Sequence, residues 1–253
     1  TDFTGPLQSG ICKMLVIGLG NHRGCSATHE EEFSVFAEAI EERARLIMSK
    51  APVWGGLALV ENAYDRTCKV LALPAQGLVE AEKELVKTAK DRMPFIRLRE
   101  ADVIVCRRIG KDISGAGFDP NILGRSTALT SYVLPVPRYQ RLVLCGLTEG
   151  SHGNGIGVGQ FDVVTRRVAE EIDWEATYAN AIACNCPGDA ALPCVAEDED
   201  AALRIALKCC RGIDREQPRI IRIEDTLHLE YIEVSEALLP AVAADPDLEL
   251  AEE

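Results

Sequence analysis

A lysine and a histidine sixteen residues apart, Lys13 and His29, stand at either end of the run KMLVIGLGNHRGCSATH. A neutral imidazole is a good transition-metal ligand, and a lysine amine can form a covalent link to a cofactor. Between them, Gly18 and Gly20 match half of the G-x-G-x-x-G phosphate-binding fingerprint. Arg23 stands where the third glycine belongs and Gly24 comes one place late, so a tight turn is the simpler account. A second candidate is RRIGKDISGAGFDPNILGR, whose density of Gly, Ser and Asn offers backbone amides to an anion. Within it Lys111 and Arg125 are candidates to clamp a carboxylate; the alternative is an irregular loop with solvated charges. A third stretch, TEGSHGNGIGVGQ, carries five glycines with His152 and Asn154, which suits close backbone approach to a ligand or to another loop. The fourth, CNCPGDAALP, reads as structural.

These residues must be held by elements that the pattern predicts. Lys13 to Gly20 reads as a buried strand or a strand-to-loop segment. Thr28 and Glu31 form a capping-box pattern, and Phe33, Phe36, Ala37, Ile40, Ala44 and Ile47 recur at helical spacing, predicting an amphipathic helix from about His29 to Lys50. On that reading His29 meets the positive end of the helix dipole. GLALVENAY and TCKVLALPA predict two strands joined by a turn around Asp65. GLVEAEKELVKTAKDR predicts a helix with Leu78, Ala81, Leu85 and Ala89 on one side. ADVIVC, RLVLCG and PRIIRI predict strands, whereas QFDVVTRRVAEEI, WEATYANAIAC and EDEDAALRIALKCC predict helices, the last with an acidic first turn that suits its dipole. Strands alternating with helices argue for an α/β fold of two lobes with mostly parallel sheets and a cleft between them for substrate and cofactor. Residues 1–92 are assigned to the first lobe and residues 93–229 to the second. The tail 230–253 is expected to return towards the first lobe. In open α/β sheets ligands collect beyond the carboxyl ends of the strands.

Composition bounds what the site can act on. The 253 residues carry 27 Lys+Arg against 40 Asp+Glu, a formal charge of −13. That balance argues against nucleic acid as a partner, since phosphate contacts need a basic face. An anionic substrate would need a local positive cluster, for which Arg107, Arg108, Lys111 and Arg125 are the candidates. No apolar run is long enough to span a membrane and no signal segment opens the chain, so a cytoplasmic location is expected. Ten cysteines in such a chain read as reduced thiols. Cys106, Cys145 and Cys210 lie in apolar runs and read as small buried hydrophobes. Cys184, Cys186 and Cys194 lack the second Cys pair and the nearby His of a zinc site.

Three stretches together, SGICKMLVIGLGNHRGCSATH, IGKDISGAGFDPNILGR and SHGNGIGVGQFDVVTRR, resemble the nickel-dependent lactate racemase superfamily, and more closely its nickel-pincer-cofactor isomerase branches. The resemblance runs over at least residues 5–235, and its specific parts are the Lys-to-His spacing and the K-D-I-S-G-x-G-x-D-P-N loop. It implies that Lys13 is the covalent tether of a nickel-pincer nucleotide, a pyridinium mononucleotide whose thioamide and thiocarboxylate arms hold nickel. Gly18 and Gly20 lie in the cofactor loop, and His29 supplies a further nickel ligand. It implies racemisation or epimerisation of an α-hydroxy acid by removing a hydride and returning it to the opposite face. It also implies cofactor-synthesis enzymes as partners.

The family's catalytic histidines, with an arginine and an aspartate that position substrate and cofactor, precede the lysine. Only twelve residues precede Lys13 here and none is His. The expectation is therefore a piece of a longer enzyme, inactive alone, with His152 the first substitute base to test. The family's substrate lysine has no clean counterpart, so Lys111 and Arg125 both stand as catalytic candidates. Two rivals remain: a non-catalytic nucleotide- or metabolite-binding module of the same fold, and a zinc-stabilised structural protein built on Cys184, Cys186 and Cys194.

Overall fold

The computed structural model describes residues 5–7, 10–64, 66–129 and 132–251, Phe33 by its backbone only; Asp65 lies outside them. It is an α/β fold, with the parallel sheet confined to the second lobe.

The first lobe opens with helix α1 (Ile11–Lys13), which runs on as a π-helical segment, Met14–Gly18, and turns into α2 (Asn21–His29). The apolar run expected as a strand is therefore helical. A short apolar run does not by its period distinguish the two, and here Leu15 and Val16 are buried, Val16 in one cluster with Phe36 and Ile40 of α3. Helix α3 spans Phe36–Lys50, not the expected start at His29, and buries Phe36, Ala37, Ile40 and Ala44. The capping-box reading fails because Thr28 ends a helix instead of beginning one: its hydroxyl donates back to Gly24 O at 2.7 Å.

Strands β1 (Gly55–Glu61) and β2 (Thr67–Pro74) form the expected hairpin, antiparallel and isolated from the other sheet. Helix α4 (Leu78–Lys90) buries Leu78, Val79, Glu82 and Val86, a face rotated from the one the sequence suggested. The rotation puts a carboxylate inside. Glu82 Oε2 accepts the Cys12 amide at 2.9 Å, and its Oε1 has no hydrogen-bond partner among the described residues. Burial, with Glu82 beside it, pushes the Cys12 thiol up to about 12.

The second lobe is built on six strands: β3 (Val103–Ile109), β4 (Arg141–Leu147), β5 (Val163–Thr165), β6 (Cys194–Ala196), β7 (Ile220–Ile223) and β8 (Glu233–Val234). Their order is β6-β5-β4-β3-β7-β8, parallel except for β8. The chain runs outward from β3 to β6, then returns through α8 (Glu199–Cys209) to place β7 on the other side of β3. Alternate residues of β3 enter two cores, as the two-residue period of a strand requires. Val103 and Val105 pack with Ala202, Ala206 and Cys210, mostly from α8, while Ile104 and Cys106 pack with Phe118, Leu144, Phe161 and Leu238. Asp102, buried, ties β7 to β3 by accepting the Arg219 amide at 2.8 Å and its guanidinium at 2.9 Å.

QFDVVTRRVAEEI is not one helix: Val163–Thr165 is β5, and α6 (Arg166–Glu171) begins only after it. The β-branched VVT run is a better strand than helix. Helix α7 is Trp174–Ala183. The tail joins the second sheet instead of crossing back. β8 pairs with β7, α9 (Leu239–Ala244) buries Val242 against the same core, and Arg97 grips Asp245 with two bonds of 3.0 Å. Its first residues, Glu230 and Tyr231, border the hairpin end.

Candidate functional site

Lys13 and His29 belong to one helical hairpin. Its sharp reversal explains the glycines: a Cβ on Gly20 would lie 2.1 Å from Val16 O, and one on Gly24 2.8 Å from the same atom. Gly20 therefore serves close helix–helix approach, whereas a Cβ on Gly18 would meet only the flexible end of Met14. Lys13 is half-buried at the end of α1. His29 is also half-buried, at the carboxyl end of α2, so it meets the opposite end of a helix dipole from the one its sequence suggested. Its ring packs against Phe36, centroids 5.2 Å apart. Nδ1 lies 2.8 Å from Cys25 O. A carbonyl only accepts, so Nδ1 carries the hydrogen and Nε2 of the neutral ring keeps its lone pair. That is the way ligating histidines are oriented from behind.

The second lobe reaches this point through Asn185, whose Nδ2 donates to His29 O at 2.7 Å. Cys184 is next in sequence. Burial raises its thiol, the Lys111 ammonium works the other way, and Cys25 raises it again. His29, Cys25 and Cys184 thus gather at one junction between the lobes, with Lys111 within electrostatic reach of Cys184. Lys111 Nζ donates to Gly115 O at 2.7 Å.

Arg125 is elsewhere. It donates to Gln160 O at 2.7 Å and to Asp162 at 2.6 Å, and its guanidinium lies over the Tyr139 ring at 5.3 Å. Asp162 precedes β5 and also accepts the amide of Leu142, near the start of β4. Arg125 therefore braces the amino edge of the sheet, while Lys111 follows the carboxyl end of β3; the two do not form one clamp. Arg107 and Arg108 are engaged by Glu224, and Arg107 also by Glu233 at 2.5 Å. The four cations expected to form a positive cluster are dispersed and largely neutralised.

The two glycine-rich loops lock onto each other. Gly117 (φ +89°) and Gly157 (φ +93°) sit where a Cβ would lie 2.0 Å from Ile156 O and 2.3 Å from Ala116 O respectively. Asp112 bonds Thr148, and the Ser151 hydroxyl accepts the Lys111 amide at 3.2 Å. Asp119 caps the short helix α5 (Pro120–Leu123) through the Asn121 amide at 2.8 Å. Close loop-to-loop approach, one of the two readings of the third stretch, is what its glycines do. His152 is exposed, at φ 49°. No group of three or more His, Cys, Asp and Glu among the described residues could hold a metal by itself; Cys194 is exposed while Cys186 is buried. All ten cysteines are free, with Cys106 and Cys210 buried and Cys145 half-buried.

No family model, curated protein or solved structure matches the chain. No helix among the described residues is long and apolar enough to cross a membrane.

One pair was not anticipated. After β7, the buried carboxylate of Asp225 accepts the amides of Leu227 and His228 at 2.8 and 2.9 Å, and His228 Nδ1 lies 2.8 and 2.9 Å from its two oxygens. The signal was an Asp and a His three apart immediately beyond a predicted strand.

Proposed function

We propose that the chain is the cofactor-bearing part of an α-hydroxy-acid racemase or epimerase that uses a nickel-pincer nucleotide. The observation that supports it is the His29 ring. Its Nδ1 is occupied by the Cys25 carbonyl at 2.8 Å, and Nε2 is left as a single nitrogen donor of the kind that suits nickel. One imidazole, without a cluster of protein ligands, is the donor set that a metal already held by an organic chelate requires. Lys13 would carry the covalent link and His29 would hold the metal. When bound, the group supplies a hydride acceptor. Lys111, within electrostatic reach of Cys184 at the junction between the lobes, would offer an ammonium to the substrate carboxylate.

The rival reading, a non-catalytic metabolite-binding module, gains support from Arg125, whose guanidinium is spent on Asp162, Gln160 and Tyr139. Expression together with cofactor-synthesis enzymes, followed by intact-mass and nickel analysis, separates the two. The wild type and His29→Ala are expected to carry the mass of the nucleotide, with His29→Ala retaining less nickel. Lys13→Ala should carry none. A mass adduct that survives Lys13→Ala, or a wild type that never acquires one, rejects the assignment.

A further inference from the structure

The chain leaves β3 for β4 on one side and comes back to β7 on the other. Adjacent parallel strands whose connections depart in opposite directions open a crevice beyond their carboxyl ends, and ligands of open α/β sheets bind there. The loops after β3 and β7 meet at that point, with the Asp119 amide donating to Thr226 Oγ1 at 2.9 Å. Beside it lies a cleft of about 710 Å³ between the hairpin end and the second lobe. Its wall combines the aromatic and apolar side chains of Tyr64, Phe95, Leu227 and Tyr231 with charged ones, the carboxylates of Glu224 and Glu230 and three guanidiniums, and it includes His228.

His228 is built into this cleft. Asp225, 2% exposed, is fixed by two backbone amides and holds Nδ1, while the His228 side chain is 70% exposed. A carboxylate only accepts, so Nδ1 carries a hydrogen and Nε2 is the edge presented to the cleft. Of the cleft's guanidiniums, Arg97 is bound to Asp245 and Asp247, and Arg108 to Glu224. Arg66, at the hairpin end, has no side-chain partner among the described residues.

We propose that this cleft binds a small aromatic hydroxy-carboxylate. The ring lies against Tyr64, Phe95 and Tyr231, the carboxylate is taken by Arg66, and the hydroxyl donates to His228 Nε2. Each part has its own physical source: aromatic contact, a charge-assisted bond to a planar guanidinium, and an imidazole held from behind by a buried acid. The proposal does not rest on the nickel reading, since neither Lys13 nor His29 lines the cleft.

Mandelate is the probe, followed by NMR of the imidazole carbons and protons. Four histidines keep the spectrum simple, and His228→Gln identifies the signal. Mandelate should shift the His228 resonances saturably, with a dissociation constant near or below about 1 mM. Phenylacetate, lacking the hydroxyl, and lactate, lacking the ring, should each bind about tenfold more weakly or worse. Arg66→Gln should weaken mandelate to the same degree, and Lys13→Ala should leave it unchanged. Arg66 and His228 are exposed, so these variants are expected to fold; Asp225→Asn changes a buried group and is not needed for the decision. A His228 signal that does not saturate at millimolar mandelate overturns the proposal. So does one that responds equally to lactate or equally in Arg66→Gln.

Discussion

Of the eight residues of β2 only Leu73 is buried, whereas in β3 every residue but Arg107 and Arg108 is. The two strands are comparably apolar in sequence, yet one lies on a hairpin with Leu57, Leu59 and Val70 in solvent and the other at the centre of six strands. Apolar composition therefore does not by itself make a core; the number of layers laid on it does. A two-stranded sheet is marginal alone, and this one is held by α4, which buries Leu78, Val79 and Val86. The residues proposed to carry the cofactor belong to this thin lobe, and the rigid sheet belongs to the other.

The largest test of that contrast is a pair of truncations. Leu144 is 0% exposed in β4 and Leu57 is 62% exposed in β1. Leu144→Ala is expected to cost about 2–5 kcal/mol, and Leu57→Ala to stay within about 0.5 kcal/mol, read from urea midpoints at constant m. Equal losses would mean that the hairpin is packed in solution. A middle-sized effect is expected where the candidate cations divide. Arg125→Ala breaks a partly buried pair with Asp162 and a contact with Tyr139, and should cost about 1–3 kcal/mol. Lys111→Ala should cost about 0.5 kcal/mol or less. If Lys111→Ala is instead the more destabilising of the two, Lys111 is the brace and Arg125 is available for a ligand.

The remaining test is alkaline. Burial pushes the thiols of Cys12, in the first lobe, and Cys145, in the second, up to about 12 from an ordinary 9.0. Above pH 9 the unfolded chain gives up these protons first, so stability falls as pH rises from 9 towards 12, by at most about 1.4 kcal/mol per pH unit for each thiol. At neutral pH an alkylating reagent should modify exposed Cys68, Cys194 and Cys209 first. A chain whose stability is flat from pH 8 to about 10.5, or whose Cys12 reacts as fast as Cys68, would show that the thin lobe opens readily.

Legibility in the sequence depended on how long and how regular each local pattern was. β3, β4 and β7 were plain because alternating or continuous β-branched runs were bounded by turn residues, and α8 because its acidic first turn preceded a clear period. In the first lobe Lys13–Gly18 carried too few residues for a period, and Asn21–His29 hid a helix behind polar side chains and Gly24, a glycine that allows close approach to Val16 O. Lys13 and His29 stood out by spacing, but the orientation of the His29 ring depends on a carbonyl one turn earlier, which only the folded chain supplies. Arg125 looked available for a ligand because its partners lie 35 and 37 residues further on. Asp225 and His228 were passed over because nothing local marks a strand end as lying where connections diverge.

The return of the chain to β3 has a consequence in time. β3 is paired with β4 early in synthesis, but its other edge stays open until Ile220–Ile223 leave the ribosome, more than a hundred residues later. Parallel pairing across such a separation is slow, and an apolar strand edge left open invites other chains to add to it. A chain stalled before β7 would therefore be the form most in need of a chaperone. The crevice flanked by Asp119 and Thr226 would come into existence only once that strand has joined the sheet.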